Sequence, residues 1–387
     1  MRIFIIAYYH DPSLKKKAGG LIRMFELADN LIKQGHDARM VLPRIGSPET
    51  QTLAHVTTIP LVDVAVLRPL FFHFLSSLYL LAAIWGKADL LYVRQMNSFL
   101  PSLIARITGR RTIYEIPNDP FIDYQNLPKI KCWFVQAMDR LSIALSEKVV
   151  VLSEWSKSRL HQLGKVEESR ILVMPSGTDT ELFVPLSKDD CCRKLNLDPS
   201  FFYVGFIGTF LPCQGVDTLI SAAPAILRQH PKTRFLLVGD GPMRQEWASM
   251  VEVNNLKDAF IFTGQIPYKE MPGHIGVMDI CVAPHKADSN QASPVKLFDY
   301  MACGRPVVAS DIAVVREITA DAGCAILHPP ENAEILAHTI TSLLDQPKKM
   351  LTLGERGRSY ATAEYDRGLI VKRFIRIALG EGSAHIP

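Results

Sequence analysis

Short apolar runs alternate along the chain with stretches whose apolar residues recur every three or four positions. Residues 2–9 and 38–42 are runs of strand length, and between them Leu21, Phe25, Ala28 and Ile32 fall on one face of a helix over 20–34 that Gly35 ends. Further runs at 89–94, 112–116, 149–152 and 170–175 predict strands. After a polar stretch at 187–199, read as a linker, the order returns with strands predicted at 203–208, 235–238, 260–263, 280–283, 306–309 and 325–327. Helical periods separate these, the last of them at 332–344 and 348–362. A final amphipathic segment over 365–379 gathers Ile370, Val371, Phe374, Ile375 and Ala378 on one side. Such alternation predicts α/β domains with parallel, doubly wound sheets.

Residues 288–310 are the stretch around which the rest is organised. Ser293 suits a helix cap and Pro294 a first turn. Leu297, Phe298 and Met301 make an apolar face, and Gly304 stands where a helix should stop. Free N–H groups and a partial positive charge at the start of that helix make a place for phosphate. Lys296 adds a cation in the first turn, and Asp299, three residues on, offers a carboxylate for two hydroxyls. A nucleoside diphosphate has that polarity. The competing reading is a surface Lys and Asp worth a few tenths of a kcal/mol (~0.2–0.5) to the helix.

Length and composition narrow the class. A chain of 387 residues holds two domains of roughly 150 to 200 residues each. Seven scattered cysteines with no Cys-x-x-Cys pair indicate a reducing compartment and no structural zinc. The N-terminus is apolar only briefly and reads as a first strand, not as a signal peptide. Up to residue 185, Lys and Arg number 22 against 17 acidic residues, so the net charge of +4 is carried by the first half. That bias suits an anionic acceptor or an acidic lipid surface and is too small for a nucleic-acid partner. Residues 64–85 are the most hydrophobic, but Arg68-Pro69 leaves only Leu70 to Trp85, short of the roughly 20 residues of a span. A buried helix and a peripheral membrane contact through Phe71, Phe72 and Phe74 are its two readings.

Other candidates lie at strand ends, where open parallel sheets bind ligands. Arg94 ends one predicted strand, and Glu115 and Asp119 lie at the end of another; each of the two acids reads equally well as an ion pair or a turn cap. Gly19-Gly20, opening the first helix, would let backbone approach a ligand closely. Lys15-Lys16-Lys17 before it reads as a solvated loop tip or as an anionic-acceptor contact. His285 follows a predicted strand and has no assigned role.

The motif Ser293-Pro-Val-Lys-Leu-Phe-Asp-Tyr-Met-Ala-Cys-Gly-Arg-Pro-Val-Val308 resembles the nucleotide-sugar motif of the group 1 family of retaining glycosyltransferases with the GT-B fold. The resemblance implies two facing Rossmann-like domains with an interdomain cleft. The acceptor domain would be 1–185, the donor domain 186–364, and a last helix over 365–380 would pack back on the first. In the family two acidic residues eight positions apart flank the donor sugar and ribose; here they are Gln291 and Asp299. Thr209 and Gln214 stand where an Arg and a Lys usually meet the donor diphosphate, with Lys296 as the replacement. Gly19, Gly20 and Ser293 fall at donor-side positions and Arg94 on the acceptor side. Pro117 stands near where many relatives have a histidine, leaving Glu115 or Asp119 as the catalytic candidate. The implied reaction is metal-independent transfer of a hexose from a UDP- or GDP-sugar to a glycan or lipid-linked acceptor, with retained configuration and no cofactor. Its implied setting is cell-surface polysaccharide or glycolipid assembly, in the cytoplasm or at the inner face of its membrane. A catalytically silent GT-B binder and a sugar-nucleotide epimerase are the alternatives.

Overall fold

The computed structural model describes residues 1–8, 19–44, 52–62, 64, 67–84, 88–118, 128–289 and 293–378. The chain divides into two compact units, Met1–Pro175 with Gly368–Pro387 and Ser176–Arg367.

In the first unit the apolar runs become strands β1 (Arg2–Ile6), β2 (Asp37–Pro43), β3 (His55–Ile59), β4 (Leu90–Arg94), β5 (Arg111–Glu115), β6 (Lys148–Val151) and β7 (Ile171–Val173). They form one sheet in the order β3-β2-β1-β4-β5-β6-β7, every pair parallel. Runs such as Ile3 to Ile6 are buried on both faces because helices cover both sides of a parallel sheet. These helices are α1 (Gly19–Lys33), α2 (Leu67–Ile84), α3 (Leu100–Ile107), α4 (Lys129–Leu145) and α5 (Glu154–Gly164).

The second unit repeats the plan with β8 (Phe202–Ile207), β9 (Thr233–Val238), β10 (Phe260–Gly264), β11 (Ile280–Ala283), β12 (Val307–Ser310) and β13 (Ala325–His328). Its sheet runs β10-β9-β8-β11-β12-β13, again all parallel. Helices α6 (Lys188–Leu195), α7 (Val216–Gln229), α8 (Arg244–Val253), α9 (Met271–Val277), α10 (Val295–Ala302), α11 (Ala313–Thr319), α12 (Ala333–Leu344) and α13 (Pro347–Glu364) belong to it. Both strand orders reverse once, between β1 and β4 and between β8 and β11. Crevices for ligands open at such reversals, outside the carboxyl ends of the strands.

Three details differ from the sequence reading. The stretch 187–199 is not a plain linker, because Ser187 caps α6 by accepting from the Asp190 N–H at 3.3 Å, and Cys191 and Cys192 are buried. Met271-Pro272, whose proline reads in sequence as loop, instead opens a helix, Met271–Val277. The division falls at Pro175, not at 185, because Ser176 onward is tied into the second unit. There the Thr178 N–H donates to the Tyr365 carbonyl, the Arg367 N–H donates to the Thr178 carbonyl, and Arg358 Nη1 donates to the Phe183 carbonyl at 2.7 Å. The last helix, α14 (Arg367–Ala378), belongs to the first unit from Gly368 onward. Phe374 meets Tyr92 edge to face at 5.9 Å, and Gln34 Nε2 donates to the Gly368 carbonyl at 3.1 Å.

Candidate functional site

Helix α10 is buried from Lys296 to Ala302, so its position is set on every side. Gly304 ends it as expected: with φ +66 it lets the N–H groups of Gly304 and Arg305 reach back to the carbonyls of Met301 and Tyr300. The start differs from expectation. Pro294 occupies the cap position and no side chain caps the helix. Ser293 Oγ instead accepts from the Ser176 N–H at 3.1 Å, pinning the segment that leads into the unit. Tyr300 fixes the other side of α10 by accepting the Ile207 N–H at 2.7 Å, at the end of β8.

This mounting carries Lys296 to the β8–β11 reversal. Its ammonium donates to Gln214 Oε1 and lies 3.4 Å from His285 Nε2 and 4.9 Å from the centre of the Phe206 ring. Only 9% of the residue is exposed. A buried ammonium ordinarily has a carboxylate; this one rests on an amide, an imidazole and an aromatic face. Burial pushes its pKa down to about 7, against the opposing pull of Cys213 and Asp299.

Two glycines make room for this arrangement. Gly208, at φ +153 after β8, would put a Cβ 3.2 Å from Lys296 Cε. At Gly215, φ +64, a Cβ would fall 1.9 Å from the Pro284 carbonyl, so the loop after β8 and the end of β11 could not close together. Within that loop Thr209 is exposed and Gln214 buried. Its other end is held by Lys286, whose N–H donates to the Cys213 carbonyl at 3.1 Å and whose Nζ lies 3.2 Å from Asp217.

Asp299, 5% exposed, accepts from Thr178 Oγ1 at 2.7 Å. Lys296, Asp299, Gln214 and Ser293 are thus brought into the same few elements. His285, noted in the sequence without a role, joins them together with Phe206 and Thr178. The position of His285 after β11, at the reversal, was the one available signal. Gln291 lies outside the described residues.

In the first unit, Gly19 and Gly20 open α1. Arg94 and Glu115 end neighbouring strands and form part of one buried cluster. Glu115 is without exposed surface; Arg23 Nη2 and Arg94 Nη1 each lie 3.4 Å from its oxygens, and the Tyr92 hydroxyl donates to it. Burial raises the carboxyl's pKa, but the two guanidinium groups and the tyrosine outweigh that and hold it below the ordinary carboxylate range. Arg23 also donates to the carbonyls of Met174 and Pro175 at 3.0 and 3.1 Å. That geometry makes Glu115 a charge anchor and favours a positioning role over a catalytic one. Asp119 and Lys15 to Lys17 lie outside the described residues. Among the described residues, no group of three or more His, Cys, Asp or Glu side chains is arranged to hold a metal ion.

Two doubly wound parallel-sheet units, one with a buried ammonium at its strand reversal, make an α/β architecture of the kind that binds ligands beyond its strand ends, and comparison with known proteins makes the assignment specific. Residues 18–182 match the model of Glycosyltransferase Family 4 and residues 201–346 that of Glycosyl transferases group 1. The chain belongs to the group 1 glycosyltransferases of GT-B fold. It is 22% identical over 276 residues to the alpha-D-kanosaminyltransferase of Streptomyces kanamyceticus, covering 69% of this chain and 70% of that one. A GDP-mannose-dependent monoacylated alpha-(1-6)-phosphatidylinositol monomannoside mannosyltransferase of Corynebacterium glutamicum is 24% identical over 215 residues. That match covers 54% of this chain and spans about half (56%) of the relative's length. The structure of Anabaena HepE in complex with UDP superposes with a TM-score of 0.78 at 19% identity, over 98% of this chain and all of that one.

Proposed function

We propose that the protein transfers a hexose from a UDP- or GDP-sugar to a hydroxyl of a glycan or lipid-linked acceptor, with retained anomeric configuration, in polysaccharide or glycolipid assembly. The carrying observation is the buried Lys296 ammonium at the β8–β11 reversal, in contact with an amide, an imidazole and an aromatic face. A diphosphate there would supply the missing negative charge. As the bond to the sugar breaks, charge builds on the leaving diphosphate, and a fixed ammonium together with the N–H groups opening α10 stabilises it without reorganisation. Thr178 orients Asp299, which is proposed to accept from the ribose hydroxyls. The relatives support this reading by their names, which include a GDP-mannose donor with a phosphatidylinositol-based acceptor and a UDP complex.

Calorimetric titration of UDP, GDP and ADP into wild type and Lys296→Ala tests it. One nucleotide is expected to bind at about micromolar strength, with the variant losing about 1.5–3 kcal/mol, as for a hydrogen bond to a charged group. Absence of binding by all three, or equal binding by the variant, overturns the assignment.

A further inference from the structure

Helix α2 is inverted. His73, Ser76 and Ser77 are buried beside Phe72 and Leu80, while Leu67, Leu70, Phe74, Leu78 and Leu81 form a stripe on its outer side. Leu70 and Phe74 are each 59% exposed. Helix α4 repeats the pattern, with Val135, Asp139 and Ser142 inward and Ile130, Trp133, Phe134 and Leu141 outward; Ile130 is 85% exposed and Trp133 70%. Helix α3 packs against both. Its Ser102 meets Ser146 at 3.2 Å just past the end of α4, and its Ile107 adds to the exposed apolar surface. Single exposed leucines are ordinary, but two helical stripes in one layer make an unpartnered apolar face.

The exposed charge on this layer has one sign. Arg106, Lys129, Lys131 and Arg140 face solvent. Helices α2 and α3 contain no acidic residue, and the one in α4, Asp139, is buried and accepts from Tyr114 at 2.7 Å and Gln95 at 2.6 Å. Aromatic and aliphatic side chains beside exposed Lys and Arg, with no exposed carboxylate among the described residues of these three helices, match the boundary between acyl chains and anionic headgroups. Among the described residues, no helix is long and apolar enough to cross a membrane.

We infer that the layer of α2, α3 and α4 is a docking face for a bilayer containing anionic lipid, with α2 and α4 lying in the plane of the interface. The inference does not depend on the nucleotide site, and its test uses no nucleotide. The full chain is sedimented with vesicles of phosphatidylcholine alone or mixed with phosphatidylglycerol, alongside Phe74→Ser/Trp133→Ser and Lys129→Glu/Lys131→Glu. Thermal melting establishes that both variants fold. Wild type is expected to sediment with the mixed vesicles, the charge variant to bind them at least about thirtyfold more weakly, and the apolar variant to remain in the supernatant. The inference is overturned if wild type ignores mixed vesicles, or if both folded variants bind as wild type does. Gel filtration showing a wild-type dimer that Phe74→Ser/Trp133→Ser dissociates, with no vesicle binding, would overturn it in favour of a second copy of this chain.

Discussion

The strand reversals of the two units hold opposite electrostatic solutions. In the first, a buried carboxylate, Glu115, sits between two guanidinium groups, Arg23 and Arg94, and accepts from Tyr92, so the anion is met by a cation at each oxygen. In the second, a buried cation, Lys296, rests on Gln214, His285 and the Phe206 face. A charge paired inside its own cluster contributes order; one resting on neutral groups contributes affinity for an ion of opposite sign. The same sheet plan therefore supports a rigid element in one unit and a binding element in the other.

The contrast predicts effects of graded size. Glu115→Gln removes the carboxylate between two arginines and should cost about 3–5 kcal/mol in urea unfolding, the usual penalty for breaking a buried ion pair. A loss under 1 kcal/mol, roughly that of an exposed pair, would mean that Glu115 does not anchor the two arginines.

Lys296→Met should act in the other direction on the ligand-free protein, stabilising it by about 1–3 kcal/mol below neutral pH, because it removes a buried charge whose desolvation outweighs the pull of Asp299. The sign follows from the lowered pKa. Between about 7 and the ordinary lysine value near 10.5 the unfolded chain holds a proton that the folded one has released, so wild-type stability rises with pH across that window. Nucleotide affinity should run the opposite way, weakening by up to about tenfold per pH unit above neutrality as the ammonium is lost. Unfolding and titration series with pH, in wild type and Lys296→Met, check both slopes; a flat wild-type profile would show that Lys296 keeps an ordinary proton affinity.

The smallest effect belongs to Thr178→Val, which removes the hydroxyl donated to Asp299. About 1 kcal/mol should be lost in thermal or urea unfolding. A null result would mean that Asp299 is held by its other neighbours.

Much of the fold was legible because it is written in local periods. Helix α10, its Gly304 stop and the strands on either side follow from residues that are near one another in sequence. Elements were missed where the pattern is mixed. Helix α4 has apolar residues outward and polar Ser142 and Asp139 inward, so no single apolar stripe announces it. Helix α6 is polar except for Cys191, Cys192 and Leu195, and resembles a linker until Lys188 is seen bonded to Asp279 at 2.7 Å.

Lys296 marks the same boundary within the site. Sequence alone determined that a cation would stand in the first turn of a helix behind a parallel strand, because helical geometry and strand order are local consequences of residue type. Only the tertiary structure decided what that cation touches. Gln214 lies 82 residues away in sequence, Phe206 arrives on β8 and His285 from the loop after β11. Ser293, a good cap by local rules, was taken by Ser176 from 117 residues away. Partner choice among buried polar groups depends on which distant segments the sheet brings within about 3 Å, and no periodicity in the chain encodes that distance.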